Sequence, residues 1–240
     1  MLVSQLRGKV ALITGANRGI GLAIARALAS EGCNLVITAR DERALKKTGR
    51  ELALLKVRVV PQVCDVRDPV AVKALLATVE HQFHRLDILI NNAGIAHPIQ
   101  NVDKLPFESW LEVIDTNLNA LFLVTHAALP LMKRGSAIVN NLSIAAKRVF
   151  PGSSAYNASK HGALGFTNTL REDLRSKEIR VIALVAGATD TEIWETLWPN
   201  APREKMMSPE TIAVAVVNAL KLPPDSTMEE LVILPTAGTL

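Results

Sequence analysis

Tyr156 and Lys160 stand four positions apart in Ser154-Ala155-Tyr156-Asn157-Ala158-Ser159-Lys160, so on a helix they share one face. An ammonium held near a phenol favours the phenolate, and is expected to lower the tyrosine pKa from about 10 toward working pH, as general acid–base chemistry requires. A Tyr-x-x-x-Lys pair alone is common on helix surfaces, so its meaning depends on the rest of the chain. The second stretch that carries chemistry is Thr14-Gly15-Ala16-Asn17-Arg18-Gly19-Ile20-Gly21, between an apolar run and a helical pattern. Backbone N–H groups and a positive helix end can face a pyrophosphate there. Gly15, Gly19 and Gly21 permit the tight turn, the close backbone approach and the helix–sheet packing, in the spacing Gly-x-x-x-Gly-x-Gly rather than the generic Gly-x-Gly-x-x-Gly. About 20 residues further on, an NAD site needs an Asp or Glu for the ribose 2′-hydroxyl. Ala39 occupies that place, while Arg40 beside it and Arg18 inside the turn can pair with a 2′-phosphate, so NADP(H) is expected over NAD(H).

The elements that must position these residues alternate between short β-branched runs and helical stretches. Strands are expected at 10–14, 34–39, 57–63, 88–90, 137–140, 181–185 and 231–234. Helices are expected from Ile20 to before Gly32, over 41–54, after Asp68-Pro69, and over 107–133, 154–177 and 209–221. Right-handed crossovers then give an α/β fold, a single Rossmann-type domain over 1–240 with a doubly wound parallel sheet of about seven strands and helices on both faces. The segment 190–208, within a substrate loop of about 188–208, reads as irregular and functional because a long loop in a compact domain usually is. The helix 107–133 is apolar on more than one face, which suggests a second subunit.

Bulk composition narrows the function classes. The 240 residues carry a net charge of +4 mixed with acidic residues and no basic block interleaved with aromatics, so no nucleic-acid partner is expected. Residues 1–9 lack a signal-peptide core, and no run reaches the roughly 18 apolar residues of a membrane span. Cys33 and Cys64 match no metal or redox spacing, which points to buried thiols, a cytoplasmic setting and no metal site.

The chain resembles the short-chain dehydrogenase/reductase family over residues 8–190, on the Gly-rich turn, Cys64-Asp65-Val66, Asn91-Asn92-Ala93-Gly94, Asn117, Ser143, and Tyr156 with Lys160, in that order. The resemblance implies an oxidoreductase that interconverts a carbonyl and a secondary alcohol. Asn117, Ser143, Tyr156 and Lys160 would be the catalytic tetrad. Ser143 would bind the substrate oxygen, Tyr156 exchange its proton, Lys160 hold the nicotinamide ribose and the phenolate, and Asn117 anchor a water. The turn residues Gly15, Asn17, Arg18, Gly19, Ile20 and Gly21 would meet the cofactor with Arg40. Asp65 and Val66 would contact the adenine, Asn91, Asn92, Ala93 and Gly94 support the sheet and the cofactor's ribose, and Gly187, Thr189 and Thr191 meet the carboxamide side of the nicotinamide. The family's Pro-Gly after the sixth strand is Ala186-Gly187 here, which leaves the turn less rigid.

Ile144, Ala145, Phe150, Trp194, Leu197 and Trp198, with Ser143 and Tyr156, are expected to line a mainly apolar substrate pocket. The C-terminal Leu231-Val232-Ile233-Leu234-Pro235-Thr236 resembles the branch that oxidises 3-hydroxy acids, so a 3-hydroxy or 3-oxo acid is one expected substrate. A 3-oxoacyl-carrier-protein reductase and a non-catalytic NADP(H) sensor are the alternatives. Arg148 is a candidate for a substrate carboxylate, though an exposed arginine accounts for it as well. His97 and His161 carry no assigned role. Family resemblance further implies a homo-oligomer, a tetramer or dimer, through helices matching 107–133 and 154–177.

Overall fold

The computed structural model describes residues 5–223 and 225–238. Apolar runs become strands: Val10–Thr14 (β1), Asn34–Ala39 (β2), Val59–Val63 (β3), Ile88–Asn91 (β4), Ala137–Asn141 (β5), Arg180–Ala186 (β6) and Glu230–Ile233 (β7). All seven pair in parallel in the order β3-β2-β1-β4-β5-β6-β7. The helices are Gly19–Ser30 (α1), Glu42–Ala53 (α2), Pro69–Phe83 (α3), Phe107–Ile114 (α4), Ala120–Ala128 (α5), Ser154–Arg175 (α6), Ile193–Leu197 (α7) and Pro209–Leu220 (α8). Local chemistry sets their starts. Asp41 and Asp68 accept from Ala44 and Val70 N–H, Ser208 accepts from Thr211 N–H, and Pro69 and Pro209 occupy first-turn positions where no N–H is needed.

Both sheet faces are covered, and the period of two along each strand divides the core. Ala11 and Ile13 of β1 join α1, α2 and α8 on one side, whereas Val10 and Leu12 join α3, α5 and α6 on the other. The order reverses between β1 and β4, and it is outside the carboxyl ends of strands at such a switch that a crevice opens. Three sequence expectations need correction or limits. The helix expected over 107–133 is divided, since Asp115–Asn119 forms a π-turn and Leu129–Leu131 a 3-10 turn at Pro130. The segment 190–208 is not wholly irregular, because it contains α7 and a 3-10 turn at Arg203–Lys205. The N-terminal reading partly falls on residues 1–4, which lie outside the described residues. Among the described residues no helix is long and apolar enough to cross a membrane.

Candidate active site

The turn after β1 is held from the neighbouring strand. The Thr14 hydroxyl accepts from Asn92 N–H at 2.9 Å and Ala93 N–H at 3.0 Å, and the Asn92 amide donates to Thr14 O at 2.9 Å and Gly15 O at 3.1 Å. Asn141 at the end of β5 donates to Asn92 Oδ1 at 2.8 Å, so three strand ends are tied into one floor. Gly15 and Gly19 hold φ of +64° and +52°, which favours glycine. A Cβ on Gly21 would stand 2.3 Å from Gly15 O, so this position fixes how closely α1 approaches the turn. No acidic residue lies in the first turn of α1. Neither Arg18 nor Arg40 has an ion-pair partner among the described residues. A positive helix end flanked by two guanidinium groups fits a phosphate-bearing dinucleotide.

From this turn a single cleft of about 840 Å³ runs past Ser143, Tyr156 and Lys160 to Trp198. Tyr156 and Lys160 lie on one face of α6, with Lys160 Nζ 5.6 Å from the phenol ring centre. The Ser143 hydroxyl hydrogen-bonds to the Tyr156 phenol and also accepts from Ala145 N–H at 3.1 Å. Lys160 is buried and donates to Asn141 O at 3.0 Å. Burial pushes the Tyr156 phenol up, opposed by the Ser143 hydrogen bond, and pushes the Lys160 amine down to about 8. This corrects the expectation of a lowered phenol: the same low-dielectric wall disfavours both charged forms, and burial outweighs the one opposing contribution, the Ser143 hydrogen bond.

Asn117 sits in the π-turn, a distortion that turns its amide toward the loop after β4. Its Oδ1 accepts from Ile95 N–H at 2.9 Å, and its Nδ2 donates to Ile95 O at 2.9 Å and Ser159 Oγ at 3.0 Å. The Ser159 hydroxyl in turn donates to Tyr156 O. Asn117 thus clamps the Gly94–Ala96 wall to α6.

Gly15, Asn17, Arg18, Gly19, Ile20, Arg40, Asp65, Val66, Ala93, Gly94, Gly187, Thr189 and Thr191 all line the cleft, as do Ser143, Ile144, Ala145, Phe150, Tyr156, Lys160, Trp194, Leu197 and Trp198. Three predicted residues do not. Gly21 packs beneath the turn, Asn117 acts from behind, and Asn91 turns into the interior, where it donates to Thr125 Oγ1 and Asn140 Oδ1. Asn91 therefore braces the sheet and does not line the cleft. The Asp65 carboxylate is held below the usual range by the Arg67 guanidinium, which bonds both its oxygens. Arg148 is exposed and off the cleft wall. His97 and His161 also stay off it, with ring nitrogens at Pro98 O and Asn157 O. Sequence reasoning gave Asn141 and Asn157 no role, and it quoted Thr14 and Asn92 inside their motifs without the bonds that tie the turn to the neighbouring strand. Asn157 donates to Ala145 O and Arg148 O and accepts from Phe150 N–H, which fixes the loop after Ser143 on α6. The available signal was the run of asparagines ending otherwise apolar strands, since a buried amide requires partners. Among the described residues no group of three or more His, Cys, Asp or Glu could hold a metal.

Comparison with known proteins gives the same reading. The chain is 37% identical over 202 residues to a 3beta-hydroxysteroid dehydrogenase from Mediterraneibacter gnavus, covering 81% of this chain and 71% of the relative. It is 35% identical over 238 residues to sulfoacetaldehyde reductase 2 from Chromohalobacter salexigens, covering 95% and 94%. An alcohol dehydrogenase from the archaeon Thermococcus sibiricus, solved with 5-hydroxy-NADP, superposes with a TM-score of 0.89 at 33% identity over 96% of this chain and 97% of that one. The family model described as short chain dehydrogenase matches residues 9–202. With the parallel sheet, the glycine turn and the Ser-Tyr-Lys wall in one cleft, the protein is an oxidoreductase and belongs to the short-chain dehydrogenase family.

Proposed function

We propose that this protein is an NADP(H)-dependent enzyme that interconverts a carbonyl compound and a secondary alcohol, with Tyr156 as general acid and base. The observation that carries this is the hydrogen-bonded Ser143–Tyr156 pair, with Lys160 one helical turn away, on the wall of the cleft that begins at the glycine turn. The bound nicotinamide supplies or accepts the hydride. This chain's residues supply placement and the proton. In reduction Ser143 donates a hydrogen bond to the carbonyl oxygen, and Tyr156 passes its phenolic proton to that oxygen as negative charge develops there. The raised phenol keeps the proton available at neutral pH, and the Lys160 amine, with its pKa near 8, is still mostly charged there and can stabilise the phenolate left behind. In oxidation the phenolate takes the proton back.

Arg18, Arg40, and Ala39 in place of an acid support NADP(H) over NAD(H). Thr189 and Thr191, next to Gly187, are suited to the carboxamide side, and Asp65 and Val66 to the adenine. The two named relatives act on a steroid and on a sulfonated aldehyde, so substrate identity does not transfer from them. A homo-oligomer, tetramer or dimer, is supported by Phe107, Leu111 and Phe122, which are exposed on α4 and α5. The reduced, buried Cys33 and Cys64 suit the cytoplasm. The test is loss of NADPH absorbance with a panel of ketones, aldehydes and hydroxy compounds, each run also with NADH. Turnover favouring NADPH is expected; absence of turnover across the panel with both cofactors overturns the reading.

A further inference from the structure

The reacting oxygen of a substrate must lie beside Ser143 and Tyr156, so the rest of the molecule extends along the wall that continues from them. Ile99, Phe150, Trp194, Leu197 and Trp198 build that wall. It is held in place from several directions. Ile99 N–H donates to Leu197 O at 3.3 Å, and Gln100 N–H to Gly152 O at 2.8 Å, which joins the loop after β4 to both α7 and the loop before α6. Trp194 Nε1 donates to Thr189 O at 2.9 Å, so its one polar hydrogen is used by the protein and the ring is offered as apolar surface.

Charge is arranged unevenly along the cleft. Its arginines, Arg18, Arg40 and Arg67, stand at the turn and at the ends of β2 and β3, and Arg67 is already paired with Asp65. Lys160 donates to Asn141 O. The charged residues that the segment 188–198 adds to the wall are both acids, Glu192, which approaches Gly19, and Glu195. Arg203, in the same loop, is held by Asp190 and by Thr191 O at 2.7 Å and does not line the cleft. A substrate carboxylate on this wall would lose water without gaining a cation.

We propose that the substrate end selects neutral carbonyl compounds, such as ketones and 3-oxo esters or thioesters, and discriminates against the corresponding free acids. The inference rests on the oxidoreductase reading above and narrows it away from the free 3-oxo acid. In both members of an ester and acid pair the hydride adds to the same carbonyl carbon and the Tyr156 proton to the same oxygen, while NADPH becomes NADP⁺. Any difference between them therefore reports the far end of the substrate.

The experiment compares ethyl 3-oxobutanoate with 3-oxobutanoate, and methyl 4-acetylbenzoate with 4-acetylbenzoate, by kcat/KM with NADPH. Equilibrium binding of the second pair is measured separately by quenching of the indole emission. Esters are expected to exceed acids by at least about tenfold in both readouts. Glu195→Arg places a cation at an exposed position of α7, and should shrink the ester preference by roughly threefold or more. Acids that match or exceed their esters overturn the proposal, and so does an ester preference indifferent to Glu195→Arg. If no compound is reduced, the oxidoreductase reading falls instead, and the binding readout alone decides the charge preference.

Discussion

Replacing Lys160 by Met removes an amine that the fold holds in an unfavourable setting, so the variant should be more stable than the parent while losing activity. Lys160 is 6% exposed, and burial takes its pKa from 10.5 to about 8. At 1.36 kcal/mol per unit, keeping the charged form in the fold costs roughly 3 kcal/mol. Met fills a similar volume without a charge, but Asn141 O loses its donor, a penalty of about 1–3 kcal/mol. The net gain expected at pH 7 is about 1 kcal/mol, which corresponds to about 2–4 °C in Tm for a chain of this size. The pH dependence separates this account from simple repacking. Because the folded pKa is depressed, the penalty is fully present below about 8 and disappears as pH rises from 8 toward the unfolded value of 10.5. Thermal unfolding of both proteins across this range, each compared at the same pH, should show the variant's advantage shrinking and then reversing as the lost hydrogen bond becomes the larger effect. A variant less stable at pH 7 than at pH 10 relative to the parent would falsify the charge-burial argument.

Two further outcomes follow from the turn. Arg40→Ser should weaken NADPH binding by about 10- to 100-fold, as loss of a charge-assisted contact to a phosphate does, with NADH binding changed by less than about threefold. Equal weakening for both cofactors in a fluorescence titration would contradict the 2′-phosphate assignment. Gly21→Ala places a methyl group 2.3 Å from Gly15 O and 2.4 Å from Asn92 Nδ2. It should lower stability by roughly 1–3 kcal/mol and weaken either cofactor, and an unchanged Tm and dissociation constant would show that α1 does not need that close approach.

The centre of the sheet was legible because its strands are buried on both faces: Val10–Thr14 and Val181–Val185 contain almost no polar residue to confuse the pattern, whereas the edge strands β3 and β7 are only partly covered. The placement of Tyr156 with Lys160 and the turn were legible because their spacing is local, fixed by one helix and one strand–helix junction. What failed to show was anything decided by the surroundings. The π-turn around Asn117 leaves the helical period of its flanks intact, so the segment reads as one helix. The five-residue α7 is too short for a periodic signal and is held by Trp194 Nε1 and Arg203 bonding Thr189 and Thr191 carbonyls. Asn91 sits in the sequence beside residues of the cleft, yet the alternation of strand β4 sends its side chain inward to Asn140. The direction of the Tyr156 shift depends on how much wall surrounds the phenol, which spacing cannot report.

In the proposed reaction the Tyr156 hydroxyl exchanges a proton with the oxygen undergoing reduction. Tyr156→Phe deletes that hydroxyl alone, and NADPH oxidation with the best ketone of the panel should be measured beside NADPH affinity. Turnover is predicted to fall by about 10²- to 10⁴-fold with affinity changed less than about threefold. Turnover within tenfold of the parent, with the cofactor still bound, would contradict the assignment of Tyr156 as the acid.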